Sequence, residues 1–365
     1  MVMNSKLAYL CSSKSWGGLE MNHVRNAAWM QERGHKVAIL CVTHTPIEAY
    51  AVKHSLKVIH IAPHKKYYDF KKGNILANLL QVNHFTHLLI RTTLDMSITA
   101  IVKRKLGAKI HTSYFMEMQL GVKKKHVLHT MRFKYIDLWS CPLNWLKKQV
   151  ETMTHYSNEL VVIPSGLDLS PFNTIISQKE AREQLNLPQD VLIFGLIGRF
   201  DPQKGQLLLL EALKKCTNND FHVVLLGEPT KDEGEAYFNL MRSIIDQVKD
   251  RVHIRPFMND VTIFFSAVDW FVMATKAETF GMVTIESLAA GTPVLGSNAG
   301  GTPEILDDEK SGKLFESMNA SSLAHSMDEI CRQNKHDDPA IIQKMAEVYD
   351  HNTVCEKVEK ALHIR

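Results

Sequence analysis

Paired cysteines are missing from this sequence. Cys11, Cys41, Cys141, Cys216, Cys331 and Cys355 are scattered with no close pair, which argues against a disulfide framework or a zinc site and suits buried thiols in a reducing compartment. No apolar run approaches the roughly 20 residues that span a bilayer. Met1 to Lys14 lacks the basic, apolar, small-residue order of a signal peptide, so a cytoplasmic location is expected. Internal repeats and low-complexity tracts are absent. The G-x-G-x-x-G fingerprint is absent too: the loop after the first predicted strand reads Ser12-Ser13-Lys14-Ser15-Trp16-Gly17-Gly18, and no acidic residue closes the second strand at Cys41-Val42-Thr43. Both points oppose a dinucleotide-binding dehydrogenase. No Asp-x-Asp pair sits at a suitable strand end, so neither a metal nor any other cofactor is expected.

A hydrophobic content of 45% over 365 residues is enough for two cores of ordinary domain size. The net charge of +4 hides an asymmetry: residues 1–160 hold 23 Lys and Arg against 9 Asp and Glu, and the remainder holds 20 against 30. The basic half clusters its cations at Lys65-Lys66, Lys71-Lys72, Lys103-Arg104-Lys105 with Lys109, and Lys123-Lys124-Lys125. Such clusters beside apolar stretches fit peripheral contact with an anionic membrane, at about 1 kcal/mol per cation near the surface; a merely solvated basic face is the plainer reading. No nucleic-acid-binding motif accompanies them, and nucleic acid is not an expected partner.

Strands and helices alternate. Strands are predicted at Leu7 to Cys11, Lys36 to Val42, Val58 to Ile61, His87 to Ile90 and Lys109 to Thr112, with helices at Leu19 to Arg33 and Ser97 to Leu106. A second βα series begins at Val191, and the break falls near Pro164-Ser165-Gly166. The expected fold class is α/β, with two doubly wound, Rossmann-like domains. Their expected bounds are 1–165 and 166–345, with 346–365 as a terminal helix.

Two clusters carry chemistry. Phe194-Gly195-Leu196-Ile197-Gly198-Arg199-Phe200-Asp201-Pro202-Gln203-Lys204-Gly205 ends a predicted strand in a loop with two cations before a helix. Backbone amides, a helix N-terminus, Arg199 and Lys204 could there converge on a diphosphate. About eighty residues later, Lys276-Ala277-Glu278-Thr279-Phe280-Gly281-Met282-Val283-Thr284-Ile285-Glu286 places two carboxylates around a glycine. Glu278 falls on the loop leaving a strand, the position that forms the ligand crevice of an open sheet. Glu286 falls among small and apolar helix neighbours, where it needs polar partners such as sugar or ribose hydroxyls; the plainer reading is an acidic residue favoured by the helix dipole.

Together with Thr292-Pro293-Val294-Leu295-Gly296, Gly300-Gly301-Thr302-Pro303-Glu304-Ile305 and Val162-Ile163-Pro164-Ser165-Gly166-Leu167-Asp168, these segments resemble the C-terminal domain of retaining nucleotide-sugar glycosyltransferases of glycosyltransferase family 4, over roughly 161 to 316. Gly17-Gly18-Leu19-Glu20 looks like the family's N-terminal glycine loop. The resemblance implies the GT-B architecture, two domains facing across a cleft, with the terminal helices returning to the first domain. It implies a nucleotide-diphosphate sugar donor and transfer with retention to a saccharide or lipid-linked saccharide acceptor. It further implies Glu278 on hydroxyls of the donor sugar, Glu286 on the ribose, amides of Phe280, Gly281, Met282 and Val283 around the diphosphate, and Phe257 near the base. His111, at the end of its predicted strand, is similar to a histidine that contacts the transferred sugar, although its neighbours Ser113 and Tyr114 depart from the usual pattern. Arg199 and Lys204 would stabilise the leaving diphosphate without a metal. Cell-envelope polysaccharide or lipopolysaccharide synthesis would suit a basic acceptor domain. A catalytically silent nucleotide-sugar-binding or scaffolding protein is the alternative; an epimerase would need no acceptor, and a phosphorylase would need pyridoxal phosphate and a longer chain.

Overall fold

The computed structural model describes residues 5–173, 176–229, 234–307, 311–333 and 338–364. The chain divides into two compact units, Met1–Gly166 with Tyr349–Arg365, and Leu167–Val348.

In the first unit, alternate residues of each strand enter opposite faces of one sheet. Strands β1 (Lys6–Cys11), β2 (Lys36–Cys41), β3 (Lys57–His60), β4 (His87–Ile90), β5 (His111–Phe115), β6 (Leu138–Cys141) and β7 (Glu159–Val162) pair in the order β3-β2-β1-β4-β5-β6-β7. Every pairing is parallel. From β1, Ala8 and Leu10 enter one core with Leu76, Leu80, Ile98, Val102 and Trp139. Leu7, Tyr9 and Cys11 enter the other, with Val24, Ala27 and Met30 of the helix Gly18–Glu32. Burial on both faces is why Leu7 to Cys11 is uninterruptedly apolar.

That second core is completed from far along the chain. The helix His351–Ala361 contributes Val354, Cys355 and Val358. Arg33 grips the buried Glu359 carboxylate through two bonds, Nε to Oε1 at 3.0 Å and Nη2 to Oε2 at 2.9 Å, and His35 Nε2 lies 2.8 Å from Oε1.

The expected strand at Lys109 to Thr112 is displaced. Gly107, at φ +58°, ends the helix Met96–Leu106, and a single 3-10 turn over Gly107–Lys109 takes up the residues expected to open the strand. β5 therefore begins at His111, whose amide donates to the Thr86 carbonyl at 2.8 Å.

The second unit repeats the architecture with β8 (Leu192–Ile197), β9 (Phe221–Leu226), β10 (Val252–Arg255), β11 (Trp270–Met273), β12 (Val294–Ser297) and β13 (Gly312–Phe315), ordered β10-β9-β8-β11-β12-β13. All are parallel. Its core joins Phe194 and Leu196 of β8 to Leu209 and Leu213 of the helix Gln206–Lys215 and to Leu323 and Met327 of the helix Ala320–Gln333. Among the described residues no helix is long and apolar enough to cross a membrane, and all six cysteines are free thiols.

Two histidines of the first unit give its stability a pH dependence. Burial, aided by nearby Arg91, pushes His23 down to about 3; burial, aided by His111, pushes His87 down to about 4. Both protonate near 6.5 in an unfolded chain. The folded state therefore binds fewer protons, and stability is complete above about pH 6.5 and falls as pH drops toward these folded values. Hydrogen exchange of the β1 and β4 amides at pH 7.5 and pH 5, corrected for intrinsic rates, is expected to show weaker protection at pH 5, with a smaller difference in His23→Leu. Glu359→Gln leaves the mostly buried Arg33 guanidinium with only the exposed Glu356 carboxylate, 3.8 Å away, as countercharge and is expected to lower the unit's unfolding free energy by about 3 kcal/mol, measured by urea titration.

Candidate functional site

Ligands of open α/β sheets bind beyond the carboxyl ends of the strands, where strand order reverses. In the second unit that point lies between β8 and β11, which pair through Trp270 with Phe194 and Phe271 with Gly195. The loops that follow these two strands are the Arg199–Lys204 and the Glu278 segments.

The first loop is fixed from beneath. Gln206, fully buried at the start of its helix, donates through Nε2 to the carbonyls of Arg199 at 2.8 Å and Gly198 at 3.3 Å. The Lys204 amide donates to the Asp201 carbonyl and the Gln203 amide to Asp201 Oδ1. Gly205 has φ +80°, and a Cβ there would lie 2.2 Å from the Ala274 carbonyl oxygen. Only glycine lets the helix N-terminus come this close to the end of β11. The backbone is thus rigid while the Arg199 side chain stands in solvent.

Gly300 and Gly301 fix the second loop. Gly300, at φ +65°, bridges Glu278, and a Cβ on it would meet the Glu278 carbonyl oxygen at 2.2 Å. That carbonyl accepts the Gly301 amide at 2.9 Å. The Glu278 side chain then reaches Lys204, Oε2 to Nζ at 3.4 Å. Gly281, at φ +82°, caps the helix Met282–Ala289, whose opening amides lack intrahelical partners. Phe280 is buried beneath this turn, and Met282, Val283 and Glu286 are half-buried on it. Six of the expected donor-site residues, together with Arg199 and Lys204, thus gather at one edge of one sheet. Phe257 lies beyond the carboxyl end of the edge strand β10 with its ring exposed.

A cavity of about 440 Å³ also opens in this unit, lined by Phe265, Asp269, Gly291, Thr292 and Pro339. These residues precede β11 and β12 or lie on neighbouring helices, so the cavity belongs to the amino-terminal edge and not to the crevice.

The remaining expected residues are in the first unit. Gly17 is extended, at φ −168°, and a Cβ on Gly18 would meet nothing; their value is open space before the helix, not a strained turn. The expectation for His111 is corrected. As the first residue of β5 it sits at the amino-terminal edge of the sheet, 5.3 Å from the His87 ring, where burial lowers its pKa. The single 3-10 turn before it removes it from the carboxyl edge where sugar contacts were expected.

At that carboxyl edge, strand order reverses between β1 and β4, and the structure gathers residues the sequence did not reveal. Asp95, fully buried, accepts from the Ser12 hydroxyl at 2.5 Å and the Ser12 amide at 3.3 Å, and lies 2.9 Å from His64 Nε2. Burial is the largest influence on His64 and opposes its protonation, yet the bond to Asp95, the bond to the Lys65 carbonyl and the charges of Asp95 and Asp69 together outweigh it and the pKa is raised. Nearby, buried Arg91 pairs with Glu117, which also accepts from the Ser165 hydroxyl at 2.8 Å. Asp95 precedes the helix Met96–Leu106 and reads in sequence as a simple helix cap; nothing local signals His64, 31 residues away. Among the described residues no three His, Cys, Asp or Glu gather as a metal-ligand set.

Residues 177–346 match the family of glycosyl transferases group 1. The chain is 29% identical over 219 residues to a D-inositol 3-phosphate glycosyltransferase of Streptomyces avermitilis, covering 56% of this chain and 46% of that one. It is 30% identical over 195 residues to the Streptomyces scabiei protein of that name, covering 50% and 43%. The matched region thus spans less than half the length of these relatives. Among solved structures, the glycosyltransferase of Rickettsia africae superposes with a TM-score of 0.82 at 18% identity, over 99% of this chain and 98% of that one. Anabaena HepE, solved in complex with UDP, superposes with a TM-score of 0.83 at 17% identity, over 98% and 99%. Those likenesses establish the two-domain GT-B fold, and within it residues 177–346 are similar to the glycosyl transferases group 1 family.

Proposed function

We propose that the chain is a retaining, metal-independent glycosyltransferase that moves a hexosyl group from a nucleotide-diphosphate sugar to a saccharide or lipid-linked saccharide acceptor. The observation that carries this reading is the convergence of Arg199, Lys204, Glu278 and the amide end of the helix Met282–Ala289 where the second sheet reverses its order. Breaking the glycosidic C–O bond leaves negative charge on the diphosphate. Arg199, the Lys204 ammonium and the opening amides of that helix form a preorganised set of donors for this charge. Glu278 accepts from sugar hydroxyls, oriented by its contact with Lys204, and Glu286 accepts from the ribose. The acceptor attacks from the face that the diphosphate leaves.

Support for a uridine donor comes from HepE, solved with UDP, with UDP and glucose, and with UDP-glucose. Support for an envelope saccharide comes from likeness to the lipopolysaccharide outer core galactosyltransferase WaaB, at a TM-score of 0.78 and 13% identity. The exposed Lys65, Lys66, Lys71, Lys123 and Lys125 of the first unit suit reversible contact with the inner face of the cytoplasmic membrane.

Arg199→Ala is expected to lower kcat by a factor of 100 to 1,000, about 3 kcal/mol of barrier. Its unfolding midpoint should not move, because the side chain is exposed; near-normal turnover would refute the assignment. Thermal unfolding with UDP, GDP, ADP and their sugars is expected to shift upward selectively for one nucleotide and to keep that shift in EDTA. Loss of the shift in EDTA would point to a metal in the donor site.

A further inference from the structure

In the first unit, the loops after β3, β4 and β5 enclose a second, smaller cavity of about 40 Å³, lined on its polar side by Lys66, Tyr67, Thr93, Lys124, His129 and Arg132 and floored by Tyr114, Phe133 and Trp139. That space holds about three waters, the size of one phosphate group. Three cations and a histidine converge on it, and no carboxylate lines it. Other buried cations of this unit are answered: Arg33 by Glu359, Arg91 by Glu117, Lys103 by Asp137.

Arg132 is the clearest member. Its residue is 4% exposed, and Nε is buried without a hydrogen-bond partner. Nη1 reaches the Ser97 hydroxyl at 3.4 Å, Nη2 donates to His129 Nδ1 at 2.5 Å, which leaves the His129 proton on Nε2, and the guanidinium also bonds the Tyr67 side chain. The guanidinium lies 4.8 Å from the centre of the Tyr67 ring. All of these partners are neutral, and a buried cation among neutral partners is costly. Burial first, then Lys66 and Arg132, push Lys124 down, and burial, Arg132 and Lys124 push His129 down. The cations repel one another across a space that an anion would fill.

Resting on the transferase reading, we propose that this cavity is a phosphate subsite of the acceptor: a phosphate group carried by the acceptor sits between Arg132, Lys124 and Lys66, with the Tyr67 and Thr93 hydroxyls completing its contacts. The loops of the cavity lie at the carboxyl edge of the sheet, where this fold places ligands, and a guanidinium beside two ammonium groups is the recognition set for phosphate oxygens.

The test is calorimetric titration of the full chain with inorganic phosphate, a hexose 6-phosphate and the unphosphorylated hexose. In parallel, sedimentation measures binding to vesicles of phosphatidic acid in phosphatidylcholine and of phosphatidylcholine alone. Lys66→Gln with Lys124→Gln removes two half-exposed or exposed cations without opening the core, and Arg132→Lys keeps the buried charge while losing its fork. Saturable binding of the phosphates, weakened about tenfold or more in each variant, upholds a subsite for a soluble phosphorylated acceptor. Binding to the phosphatidic acid vesicles alone, lost to the same degree in both variants, upholds it for a lipid-borne phosphate. Absence of both, or binding that the variants leave unchanged, overturns the proposal. Nucleotide binding separates the two readings. A thermal shift with nucleotide and no phosphate binding overturns only the subsite, whereas phosphate binding with no nucleotide shift upholds an anion site and removes the donor reading.

Discussion

The second unit's site depends on backbone touching backbone. Where Cβ atoms would stand on Gly205, Gly227 and Gly300, the carbonyl oxygens of Ala274, Gly198 and Glu278 lie 2.2, 2.1 and 2.2 Å away. Main chain cannot yield as the end of a long side chain does, so these contacts hold the loops after β8 and β11 in one arrangement. The Lys204–Glu278 pair at 3.4 Å is partly exposed, and pairs of that kind contribute little stability. The pair does not hold the loops; the loops hold the pair. Both charges can therefore turn toward a ligand without loosening their supports, which is what a preorganised electrostatic site requires.

The first unit handles charge differently. Its positive excess reads in sequence as a basic surface, and many of its lysines are exposed. Yet three of its guanidiniums, those of Arg33, Arg91 and Arg132, go inward. Arg33 and Arg91 find carboxylates, whereas Arg132 finds an aromatic ring, a serine and a histidine. Surface cations of this excess attract anions at long range; an inward one with incomplete bonding selects them at short range. The same composition thus serves two purposes that net charge cannot separate.

Much of this was legible in the sequence, for a physical reason. The βα alternation showed itself in apolar runs because parallel strands are buried on both faces, and the loops after β8 and β11 showed themselves because glycines and charges recur at fixed offsets from strand ends. Where the sequence misled, short-range geometry or long-range convergence was at fault. One 3-10 turn after Gly107 carried His111 to the wrong edge of its sheet. Asp95 and His64, or Lys66 and Arg132, come from separate βα units, so no spacing announces their meeting. Of the glycine loop, Gly17 is extended and Gly18 opens the helix with free space where a Cβ would stand.

The helix His351–Ala361 supplies Val354, Cys355 and Val358 to a core whose other members include the first unit's opening strands and helix, and Glu359 to the Arg33 grip. A ribosome releases those opening strands long before it makes this helix. The nascent first unit must therefore wait with one apolar face uncovered while residues 167–348, a contiguous stretch, emerge and fold. Synthesis order is thus inverted relative to completion: the domain begun first is the domain finished last, and its uncovered face is the one a chaperone would meet.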